Sequence, residues 1–89
     1  MSAPLWTDEE LRISLALYKA VLAGIISRHQ AEELWTLLLP GRRSPNRRMG
    51  NISWVLQQDG KPYIEGRWGP CFRVGPNVAA RIRKMLTGP

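Results

Sequence analysis

Apolar side chains return at steps of three and four along four stretches of the chain, a rhythm that predicts a mainly α-helical domain. In the first stretch Leu11, Leu15, Tyr18, Leu22 and Ile25 share one face. Its start is written in Trp6-Thr7-Asp8-Glu9-Glu10-Leu11. Thr7 can accept from an unpaired amide of the first turn and Glu10 can reach back to the Thr7 amide, the reciprocal arrangement of a capping box. Trp6 and Leu11 are spaced as a hydrophobic staple, Asp8 and Glu9 suit the positive end of the helix, and Gly24 can take a left-handed conformation at its close. Ser27-Arg28-His29-Gln30 repeats the cap with a glutamine, and Ala31, Leu34, Trp35 and Leu38 follow on one face until Pro40-Gly41 stops the helix. A third helix is predicted from Ser44-Pro45, a cap followed by proline at the first helical position, to about Gln57, with a turn at Asp59-Gly60.

Between Lys61 and Pro76 the pattern changes. Prolines and glycines punctuate two short apolar runs, Tyr63-Ile64 and Cys71-Phe72-Arg73-Val74, which predict a short β-hairpin. From Asn77 to Leu86 the helical step resumes with Val78, Ile82 and Met85 or Leu86, and Arg83 and Lys84 sit at the favourable negative end. Three helices, a hairpin and a C-terminal helix give the order of a small winged helix-turn-helix-like domain, with the third helix in the recognition position.

The length of 89 residues fits one domain, residues 1–89, that hides only roughly 60–65% of its unfolded surface and has little to spare for a deep catalytic cleft. A single cysteine, Cys71, allows no internal disulfide, and a single histidine, His29, makes a zinc site unlike the usual ligand sets. No metal or cofactor is therefore expected. No apolar run approaches the ~18–20 residues of a membrane span, and Met1-Ser2-Ala3-Pro4 lacks the features of a secretion signal, so a cytoplasmic location is expected. The closing Thr87-Gly88-Pro89 suits a linker, as in a fragment of a larger multidomain protein.

Charge sharpens the picture. The net +6 conceals a split: residues 1–40 carry three basic and five acidic groups, whereas residues 41–89 carry ten basic and two acidic, giving halves of −2 and +8. A strongly cationic half points to a polyanion, because lysine and arginine attract phosphates and release their counterions. On the third helix Met49, Ile52 and Leu56 mark a core side, while Arg47, Asn51, Trp54 and Gln58 fall opposite, with Arg48 at the flank. Arginine can grip guanine or phosphate, and asparagine can pair with adenine. Trp54 can stack on a base or pack inside the domain. Arg42, Arg43 and Ser44 form a basic lead into the helix N-terminus, suited to a backbone phosphate. Lys61, Arg67 and Arg73 lie on the hairpin, where a wing would touch DNA. The pair Arg67-Trp68 either enters a groove or closes the core with the arginine stacked upon it.

Catalytic constellations are not evident. Asp59 and Glu65-Gly66-Arg67 have the acidic residues of a metal-dependent nuclease but arginine where a lysine is usual, and His29 and Cys71 have no third orienting group. The expected partner is double-stranded DNA, with modified duplexes among the candidates. The alternative is a protein-interaction or oligomerisation domain with Trp54 and Trp68 as apolar anchor and the arginines on an acidic partner.

Three segments, Trp6-Thr7-Asp8-Glu9-Glu10-Leu11 continuing through Leu15-Ala16-Leu17-Tyr18, Arg47-Arg48-Met49-Gly50-Asn51-Ile52-Ser53 and Gly60-Lys61-Pro62-Tyr63-Ile64-Glu65-Gly66, resemble the N-terminal head domain of McrA-type, modification-dependent HNH restriction endonucleases. The resemblance spans residues 6–66 and implies a non-catalytic, DNA-associated module of bacterial defence. It also implies that cleavage and modification readout belong to other domains of the same polypeptide.

Overall fold

A computed structural model describes residues 6–42, 45–70 and 74–87. Four α-helices follow one another: α1 (Asp8–Leu22), α2 (Arg28–Leu38), α3 (Asn46–Gln58) and α4 (Pro76–Thr87), with one 3-10 turn, Gly66–Trp68, between α3 and α4. Among the described residues there is no strand.

Both capping boxes form as the sequence expects. Thr7 Oγ1 accepts from the Glu10 amide at 3.1 Å while Glu10 accepts from the Thr7 amide at 2.9 Å, and Ser27 and Gln30 do the same at 3.0 and 2.8 Å. Gly24, at φ +77°, closes the end of α1. Pro45 caps α3 without a side-chain hydrogen bond, and Ser44, expected as that cap, lies outside the described residues.

α3 is the central element. It packs on α1, α4 and the 3-10 turn, and Met49, Ile52, Val55 and Leu56 are buried with Leu15, Tyr18, Trp35 and Ile82. α2 packs on α1 alone, through Ala31 and Trp35. The expected apolar faces run past their partners here. Leu22 and Ile25 at the end of α1, and Leu34 and Leu38 on α2, are exposed because no described element lies over them.

The expected hairpin takes a different form in its first half. Tyr63 and Ile64 join no strand; the Ile64 amide donates to the Tyr18 hydroxyl at 2.8 Å. A proton-consistent chain continues from there. Tyr18 donates to Ser53 Oγ at 2.6 Å, and Ser53 donates to the Trp68 carbonyl at 2.6 Å. Burial pushes the Tyr18 phenol up from its ordinary pKa, keeping it a neutral donor. Trp68 is fully buried, its indole N–H on Asn46 Oδ1 at 3.0 Å, so of the two roles open to it the tryptophan closes the core. Cys71, Phe72 and Arg73, the second half of the expected hairpin, lie outside the described residues.

Candidate functional site

Trp6 organises the charged end of the domain. Its ring lies 5.7 Å from that of Trp35, tilted by 47°, and two guanidinium groups sit over it, Arg42 at 4.3 Å and Arg48 at 4.2 Å from the ring centroid. The aromatic face lets two cations approach one another in a partly dry setting.

Their situations differ. Arg42 makes a two-pronged ion pair with Glu10, both contacts at 2.9 Å, and its side chain is only 13% exposed. The Arg42 guanidinium, helped by the Thr7 amide, pulls the Glu10 carboxyl down to about 2. Arg42, expected on a phosphate, is here an internal counterion of Glu10. Arg48 has no carboxylate within ion-pair range among the described residues. Its Nη1 donates to Asn51 Oδ1 at 3.3 Å, but its buried Nε has no hydrogen-bond partner. Burial, reinforced by the positive charges of Arg42, Arg81 and Arg47, lowers its basicity from the usual arginine value. The group stays charged and has no carboxylate paired with it among the described residues.

Arg48 borders an open cleft of about 380 Å³ lined by Trp6, Arg47, Arg48, Asn51, Val74, Gly75 and Val78. Two helix starts feed it. Arg47 and Arg48 occupy the first turn of α3, and Gly75 and Val78 flank the beginning of α4. Neither first turn contains an acidic residue, in contrast to the three in α1. Residues from the starts of two helices and a guanidinium without a carboxylate among the described residues therefore line one concave surface, an arrangement that favours an anion.

The remaining sequence-predicted residues divide as follows. Arg47 is exposed on the cleft wall. Asn51 is only 8% exposed and its carbonyl oxygen holds Arg48, so it orients the arginine and does not present an edge to a base. Its position on the wheel was read rightly, but Arg48 covers that side of α3. Trp54 is half-buried against the core and away from the cleft. Lys61 and Arg67 are exposed and do not line it. Arg43, Ser44 and Arg73 lie outside the described residues. Arg81 pairs with Asp8 at 2.8 Å and donates to the Trp6 carbonyl at 2.7 Å, while Arg83 pairs with Asp59 at 3.1 Å.

The sequence reading missed Trp6, Gly75 and Val78 as cleft walls. The first was accounted for by helix capping, and the others carry no charge to attract notice. Among the described residues no group of three or more His, Cys, Asp or Glu side chains could hold a metal ion, and no helix is long and apolar enough to cross a membrane. Comparison with known proteins found no matching family, no matching curated protein and no matching solved structure.

Proposed function

We propose that the chain is a non-catalytic DNA-binding module that holds the duplex by its phosphates at the Arg47–Arg48 cleft. The observation that carries this reading is the Arg48 guanidinium, half-buried on the wall of a concave surface with no carboxylate within ion-pair range among the described residues. A phosphate supplies the negative charge that the guanidinium lacks. Exposed Arg47 adds a second cation, and the helix starts add backbone amides.

This reading changes the expected docking mode. In a winged helix-turn-helix the third helix would lie along the major groove, but α3 is packed on three sides and Asn51 is covered. The N-terminal end of α3, and not its length, faces the backbone in this proposal. Phosphate contacts position a protein without reading sequence, so any selectivity for modified bases is assigned to other domains, as the McrA-type resemblance implies.

Fluorescence anisotropy with a duplex over a range of salt concentrations tests the proposal. The logarithm of affinity should fall with the logarithm of salt by about 0.9 for each cation engaged. Replacing Arg47→Ala should weaken all duplexes alike and reduce that slope by roughly 1. Absence of binding at low salt, or a slope unchanged by R47A, would overturn it. Base-methylated duplexes should bind like the unmodified one.

A further inference from the structure

The cationic cleft leaves one feature of the fold unused. Leu34, Leu37 and Leu38 are exposed on α2, and Leu22 and Ile25 are exposed at the corner where α1 turns into α2. At 100° per residue, Gln30, Leu34, Leu37 and Leu38 form one stripe of α2 with no charged side chain in it. Ile25 and Leu37 are each 76% exposed. We infer that this stripe is the interface through which two copies of the chain form a symmetric dimer.

Area and charge both argue for a second copy. The five side chains together expose on the order of 400–500 Å² of apolar surface, the size of the largest patch an ordinary monomer carries and often a functional one. Matched across a twofold axis it would bury roughly 1,000 Å², the lower bound for a specific interface and the range of weak, reversible dimers. DNA does not fit this surface, since nothing in the stripe is cationic. An acidic partner fits no better, for the same reason. Two copies can approach here without strong repulsion, because α2 itself is close to neutral, with Arg28 against Glu32 and Glu33. The stripe is built by α2, whose only helix partner among the described residues is α1 and whose Leu34, Leu37 and Leu38 do not line the cleft, whereas the cleft is built by the starts of α3 and α4 with Trp6. Dimerisation would therefore leave both clefts open and give a bivalent DNA binder.

Sedimentation equilibrium of the isolated protein, without DNA, from about 10 µM to about 1 mM should show a monomer–dimer equilibrium with a Kd of tens to hundreds of micromolar. Leu37→Glu, at a highly exposed position, should weaken association at least tenfold while the helical circular dichroism and melting temperature stay those of the wild type. Ile25→Glu, outside α2, should act in the same direction. A wild-type chain that stays monomeric at 1 mM overturns the inference, as does a dimer that both substitutions leave intact. Neither result bears on the cleft, because Leu37 and Ile25 do not line it and the R47A salt slope is read against the wild type at the same protein concentrations.

Discussion

Replacing Glu10→Gln removes one negative charge at the most connected position of the domain and leaves its shape almost unchanged. Glutamine serves at the third position of a capping box, as Gln30 does in α2, so the cap on Thr7 should survive. What is lost is the pairing with Arg42, whose side chain is 13% exposed against 23% for Glu10. A carboxyl shifted from 4.5 to about 2 stores at most about 3 kcal/mol of folding free energy, at 1.36 kcal/mol per decade. Water still reaches the pair and screens it, which brings the expectation to ~1–2 kcal/mol. The sign follows from linkage. The folded-state pKa is depressed, so the contribution is complete above the unfolded value of 4.5 and disappears as pH falls towards 2. Urea unfolding at pH 7 should show E10Q less stable by that amount, with the melting temperature lower by roughly 5–15 °C for a domain of this size. The gap should close between about pH 5 and pH 2. Equal midpoints at pH 7, or a gap that persists at pH 2, would refute this account of the ion pair. A second readout separates charge from stability: E10Q frees the Arg42 charge beside the cleft, and the salt slope for duplex DNA should steepen by up to about 0.9.

Two further substitutions probe the loop between α3 and α4. Ser53→Ala leaves the Trp68 carbonyl and the Tyr18 hydroxyl short of a buried partner, and urea unfolding should register a loss of ~1–3 kcal/mol; wild-type stability would show that the hydroxyl chain contributes nothing. Gly66 holds φ +81° and a Cβ there would meet open space, so Gly66→Ala should destabilise by ~1–2 kcal/mol through backbone strain alone, and a neutral thermal melt would rule out that left-handed conformation.

The parts of the fold that depend on neighbours in sequence were legible in it. Thr7 with Glu10 and Ser27 with Gln30 are three residues apart, and the steric logic of a helix start needs nothing else. The core side of α3, Met49, Ile52 and Leu56, followed from helical periodicity in the same way. Tertiary partners were not legible. A helical wheel places Asn51 opposite that core, but no local rule says that Arg48 will lean over Trp6 and cover it. The run Tyr63-Ile64 has strand-like composition, yet the distant Tyr18 hydroxyl takes the amide that a ladder would have used. The apolar step of α1 and α2 likewise continues beyond the point where the fold offers a partner, which is why Leu22, Ile25, Leu34 and Leu38 look like core in the sequence and are exposed in the structure.

The charge split needs the same refinement, and it explains why the candidate site lies where it does. Halves of −2 and +8 suggest two opposed surfaces, but the first turn of α1 folds against the cationic half. Glu10 neutralises Arg42 and Asp8 neutralises Arg81, so two of the ten basic residues of the second half are matched across the domain. Trp6, immediately before that turn, then holds Arg48 at 4.2 Å without supplying a counter-charge. One short segment thus caps a helix, pairs with two arginines, and holds a third on the cleft wall with no carboxylate within ion-pair range among the described residues. Availability of a cation is set by where the carboxylates fold and not by its own place in the chain, which is why Arg48, and not Arg42, is the side chain on which the DNA-binding proposal rests.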